Sequence, residues 1–120
     1  MSDDSKNEQK VIKETIRDLI SALEIRQLQS TELLDIIDVL SQVRTKLDSE
    51  KNPPALVNRL VNYIRSVSLK GRIHFLSNEE KLIIKLSLIG QKAGLNGLYM
   101  ADFSDKTQFY SYLEKMPNRN

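Results

Sequence analysis

Apolar side chains recur along this chain at intervals of three and four, with polar breaks between the runs, and the pattern predicts four amphipathic helices. Val11, Ile12, Ile16, Leu19, Ile20 and Leu23 fall on one stripe of a first helix that ends between Glu24 and Gln29, because a period of 3.6 residues puts such positions on one face. Ser30 or Thr31 can accept from the open amides of a second helix, and Glu32 and Asp35 suit the positive end of its dipole. Leu33, Ile36, Ile37, Leu40, Val43 and Leu47 form its stripe. The polar run from Asp48 closes on Pro53 and Pro54, which disfavour helix at the preceding residue but fit the first turn of a third helix. Leu56, Val57, Leu60, Val61, Ile64 and Val67 give that helix its stripe, and Gly71 is expected to take the left-handed position at its end.

Ser77-Asn78-Glu79-Glu80 reads as a reciprocal capping box, the Ser77 hydroxyl accepting from the Glu80 amide while the Glu80 carboxylate reaches back. In the fourth helix it opens, Leu82, Ile83, Leu86, Ile89 and Ala93 share one face, and Lys81, Lys85 and Lys92 share another with Leu88 beside them. Gly90 and Gly94 have the spacing of closely approaching helices, but beside Gln91 and Lys92 the membrane version of that motif does not apply. Gly94 is expected to terminate the helix. Residues 1–7 read as a flexible polar arm, and residues 95–120 as a tail loaded with Tyr99, Phe103, Phe109, Tyr110 and Tyr112. Part of that tail is expected to fold back, with stripe edges such as Ile84 and Leu88 available to receive it. Short connections make neighbouring helices antiparallel. The expectation is a single all-α domain over residues 1–120, an antiparallel up-down four-helix bundle with an aromatic-rich C-terminal tail.

Composition narrows the function classes. A chain of 120 residues with no cysteine has one core, no disulfide framework and no thiolate chemistry. Its start, Met1 to Glu8, lacks the cationic and apolar regions of a signal peptide, which argues against export by that route. The densest apolar run, Leu82 to Ile89, is broken by Lys85 and is far short of the ~20 residues a spanning helix needs. The net charge of +2 conceals an asymmetry: residues 1–52 carry eleven acids against eight bases, and residues 53–120 five acids against ten bases. A basic C-terminal half favours anionic partners, whether phospholipid, nucleic acid or an acidic protein surface.

Catalysis is poorly supplied. There is one histidine, no phosphate-cradling glycine loop and no histidine pair at zinc-binding spacing; neither cofactor, metal nor small-molecule substrate is expected. His74 could be a phosphorelay histidine, but Ile73 and Phe75 flank it in a connection that has to enter the core, which reads as structural. Arg59, Arg65, Lys70, Arg72, Lys81, Lys85 and Lys92 could meet nucleic acid, yet the aromatics are gathered in the tail and not interleaved with the bases. A basic face that approaches an anionic membrane peripherally fits better. A small helical adaptor or regulator of a protein or nucleic-acid partner stays open.

The order of a third helix, Arg72-Ile73-His74-Phe75-Leu76, Ser77-x-x-Glu80, an apolar fourth helix and the exit Gly94-Leu95-Asn96-Gly97-Leu98-Tyr99 resembles the immunity proteins that protect lactic-acid bacteria from class IIa, pediocin-like, bacteriocins. The match is clearest over residues 56–100. The resemblance implies a cytoplasmic, non-enzymatic four-helix bundle, placed peripherally at the inner face of the membrane. As it further implies, such a protein associates with the membrane components of the mannose phosphotransferase permease once a bacteriocin has engaged them. Specificity in the family is attributed to the C-terminal half, which maps onto Lys81, Lys85, Leu88 and Lys92 of the fourth helix and Leu98, Tyr99, Phe103 and Tyr110 of the tail. The aromatic content of that tail and the absence of tryptophan depart from the family pattern.

Overall fold

Four α-helices account for most of the chain in a computed structural model that describes residues 2–94 and 102–117: α1 (Ser2–Glu24), α2 (Thr31–Lys46), α3 (Pro53–Gly71) and α4 (Ser77–Gly90), with no strand among the described residues. Helix α1 starts at Ser2, taking in the expected arm; no glycine or proline stands before Pro53 to stop it. Ser30 caps α2, its Oγ accepting from the Leu33 amide at 3.1 Å. Asn52 caps α3, with Pro53 and Pro54 in the first turn.

Interhelix contacts establish the antiparallel order. Near the start of α1, Gln9 Nε2 donates to the Leu47 carbonyl at 3.2 Å and Lys13 pairs with Asp48, both at the end of α2. Just beyond the end of α1, Arg26 meets Glu79 in the first turn of α4, while Glu8 meets Lys92 beyond its last. Each helix packs on two neighbours, α1 on α2 and α4, and α3 on α2 and α4. The expected stripes fill the centre: Ile12, Ile16, Leu19 and Leu23 of α1, Leu33, Ile36, Leu40 and Val43 of α2, Leu60 and Ile64 of α3, and Ile83 and Leu86 of α4 are all buried.

Two glycine assignments change. At the end of α3 the left-handed residue is Arg72 (φ 54°, ψ 41°), not Gly71. Gly71 makes room instead, since a Cβ there would stand 2.7 Å from Cβ and Cγ of Glu32. Gly94 does end the fourth helical segment, at φ +65° after a short 3-10 turn. Gly90, however, is a close-approach residue: it is buried on α3, where an added Cβ would lie 2.9 Å from Cα of Asn58.

The tail docks on α2 and α3, away from Ile84 and Leu88, which stay exposed. Phe109 is buried and meets Tyr63 of α3 edge to face, with ring centroids 5.4 Å apart. Burial, and then the nearby carboxylates led by Asp35, push the Tyr63 phenol above its ordinary pKa. Lys106 Nζ reaches Asp35 at 2.9 Å and Asp38 at 3.1 Å and also donates to the Pro117 carbonyl at 2.8 Å. Further along, the Ser111 amide, Lys46 and Gln42 converge on Glu114 and hold its carboxyl down to about 2. The α4 edge offers aliphatic side chains and lysines, with no ring for Phe109 and no unoccupied carboxylate for Lys106.

Gly90→Ala is expected to lower the urea midpoint. The gain of about 1 kcal/mol in helix propensity is outweighed by overpacking of about 1–3 kcal/mol against the α3 backbone. Leu86→Ala is expected to lose more, about 2–5 kcal/mol.

Candidate partner-binding face

The start of α4 differs by one residue from the capping box read in the sequence. Leu76 is extended and immediately precedes the helix, and its amide donates to Glu79 Oε1 at 2.8 Å. Leucine offers no acceptor in return, so only one half of the box exists. Ser77 lies inside the helix, and Glu80 is engaged elsewhere: its carboxylate takes a bidentate pair from Arg65 of α3, with Nη1 to Oε1 at 2.8 Å. The Arg65 guanidinium holds the Glu80 carboxyl below its ordinary pKa despite the opposing effect of burial.

Glu79 is 1% exposed. Arg26, in the connection after α1, approaches it with Nε at 3.0 Å and Nη2 at 2.6 Å, and the same Nη2 donates to the His74 carbonyl at 2.7 Å. Burial alone would raise the Glu79 carboxyl, but the guanidinium hydrogen bonds, the Leu76 amide and the guanidinium charge outweigh it, and its pKa is lowered. The two glutamates therefore bolt the first turn of α4 to α1 on one side and to α3 on the other.

With its first turn fixed, α4 turns Ile83, Leu86 and Gly90 inward and leaves Lys81, Ile84, Lys85 and Leu88 exposed. Spacings of three, four and seven residues put these four on one face. The only two acidic side chains of α4, Glu79 and Glu80, are occupied by arginines, so this face is cationic with aliphatic interruptions. Lys92 is exposed in the 3-10 turn beyond α4 and spans to Glu8 of α1 at 2.6 Å.

Of the tail candidates, Phe103 and Tyr110 do not join this face. Phe103 and Tyr110 are half-buried in the tail, the Tyr110 hydroxyl donating to the Asp38 carbonyl at 3.4 Å. Leu98 and Tyr99 lie outside the described residues. Ile84, valued in the sequence only as a stripe edge, belongs to the face; its place three residues after Lys81 and four before Leu88 was the available signal. The His74 side chain is exposed, contrary to the packing role expected of it; Ile73 and Phe75 do pack on the core, and His74 contributes its carbonyl. Among the described residues no group of His, Cys, Asp or Glu could hold a metal ion, and no helix is long and apolar enough to cross a membrane.

The described residues thus form an all-α bundle of four helices with one exposed cationic-aliphatic face on α4. The chain belongs to the bacteriocin immunity protein family, whose model matches residues 7–91. It is 65% identical over 81 residues to the probable leucocin-A immunity protein of Leuconostoc gelidum, covering 68% of this chain and 72% of that one. To the probable mesentericin-Y105 immunity protein of Leuconostoc mesenteroides it is 62% identical over 81 residues, with the same coverage. No solved structure gives a significant match.

Because the Glu79 carboxyl is lowered in the folded protein, its contribution is present above the ordinary glutamate value and is lost as pH falls through the folded one. Urea midpoints measured from neutral to acidic pH should show the gap between native protein and Glu79→Gln shrinking below pH ~4.5. Arg26→Ala leaves the buried carboxylate without its counter-ion and is expected to cost about 2–4 kcal/mol at neutral pH.

Proposed function

We propose that this chain protects its cell from a pediocin-like bacteriocin by binding, without enzymatic chemistry, to the bacteriocin-occupied mannose phosphotransferase permease from the cytoplasmic side. Family membership supports the immunity role. The observation that carries the choice of surface is the exposed stripe Lys81, Ile84, Lys85 and Leu88, held by two ion pairs at the start of its own helix.

A helix with alternating cations and aliphatics can lay its apolar residues into a groove while its lysines steer it to an acidic rim. Steering matters here because the target exists only after the toxin arrives, and electrostatic attraction raises the rate of capture. The docked tail, with Phe103 and Tyr110, then acts beside the bundle as the specificity element, together with Leu98 and Tyr99. Leucocin A and mesentericin Y105 are the first peptides to test, since the two relatives are named for immunity to them.

A sensitive strain expressing the chain is expected to survive one or both peptides where an empty-vector control does not. Lys81→Glu with Lys85→Glu is expected to abolish most of that protection while leaving the unfolding midpoint within about 0.5 kcal/mol of native, as for surface substitutions generally. Full protection by that double variant would exclude the α4 face as the binding surface.

A further inference from the structure

One end of the bundle carries apolar side chains that no described residue covers. Ile25 and Leu28, from the α1–α2 connection, are 81% and 87% exposed, and Leu69 and Leu76, from the end of α3 and the α3–α4 connection, are 81% and 59% exposed. The Arg26 bridge to Glu79 and the His74 carbonyl holds these two connections together. The connection at the opposite end, Asp48-Ser49-Glu50-Lys51-Asn52, is polar throughout.

Two open grooves flank Arg26 at the apolar end, of about 350 Å³ and 320 Å³, and share Leu28 and His74; Leu76 lines the first, Ile73 and Arg72 the second. Among the described residues no carboxylate lines either groove, although Glu32 stands behind Gly71 in the wall of the second. Glu24, on the adjoining helix end, is not among their walls, and Glu79 is neutralised by Arg26. Arg72 is exposed and holds a left-handed backbone that L-residues avoid, at a position where glycine would be unstrained. Lys70 is exposed as well, but its Nζ is turned to the tail, where it donates to Ser104 Oγ.

We propose that this end inserts into the surface of an anionic phospholipid bilayer, Leu28 and Leu76 with Ile25 and Leu69 entering the interface while Arg72 meets lipid phosphates. Ile25, Leu28 and Leu69 stand out at more than four-fifths exposure, which suits a soft, apolar phase better than a groove-shaped protein partner, and Arg72 among them selects negative charge. The assignment goes beyond the receptor reading and needs no bacteriocin, so its failure and that of the receptor reading are separate results.

The test is co-sedimentation of the full chain with vesicles of equal parts phosphatidylglycerol and phosphatidylcholine, against phosphatidylcholine alone. Native protein is expected to partition onto the anionic vesicles. Leu28→Ser with Leu76→Ser is expected to weaken this by about a hundredfold, the low end for losing the burial of two leucines. Arg72→Gly, which relieves the left-handed strain and so keeps the fold, is expected to weaken it about fivefold, the worth of one cation at an anionic surface. Absence of native binding overturns the proposal. So does full binding by the leucine variant with loss in Lys81→Gln plus Lys85→Gln, which would move the lipid contact to α4. Concentration-dependent self-association abolished by the leucine variant, without vesicle binding, would assign the patch to a second copy and equally overturn it.

Discussion

A buried carboxylate can stay ionised only if charge and hydrogen-bond donors replace the water it has lost, and Glu79 obtains both from one arginine and one amide. Its partners lie in three places: the connection after α1, the residue before α4, and, through the same guanidinium, the carbonyl of His74. One charge thereby sets both the rotation of α4 and the fit between two interhelix connections. The outward direction of Lys81, Ile84, Lys85 and Leu88 follows from that rotation. So does the closeness of Leu28 and Leu76 at the end of the bundle.

Local signals in the sequence were sufficient for what depends on local physics. The four stripes, the Ser30 cap, the two prolines opening α3 and the break at Gly94 each rest on residues within a turn of one another. The misreadings at the α4 cap, the two glycines and the tail involve partners far along the chain. Glu79 and Glu80 are both plausible caps three residues after a candidate start, and Arg26 and Arg65, 53 and 15 residues away, decide between them. Gly71 and Gly90 are small because of Glu32 and Asn58 on other helices. The tail was expected on an aliphatic edge. Tyr63 on α3 and the pair Asp35 and Asp38 on α2 drew it elsewhere, and a tyrosine beside an apolar stripe, or two acids three residues apart, reveals nothing about its partner until the helices are assembled.

Of the candidate site, the helical part was legible and the composite was not. Lys81, Lys85 and Leu88 share a face because they share a helix. Phe103 and Tyr110 lie on the α2 and α3 side of the bundle, and α2 has no substantial packing on α4. The family match ends at residue 91, before the tail, so the bundle is what the chain holds in common with its family. If the apolar end sits in lipid, α4 stands away from the membrane plane, and its cationic face looks sideways at whatever projects from the bilayer beside it.

Lys106 gives the tail a role that reaches back into the bundle. Its ammonium is largely buried between Asp35 and Asp38 of α2, so a residue some seventy positions later contributes to neutralising both carboxylates. Chimaeras that exchange C-terminal segments between immunity proteins are thus constrained by an electrostatic match across the junction. A foreign tail without a cation at this place leaves two like charges facing each other on α2, and the hybrid's phenotype would then report a damaged bundle as readily as a changed toxin preference. The exchangeable unit is the tail together with Asp35 and Asp38.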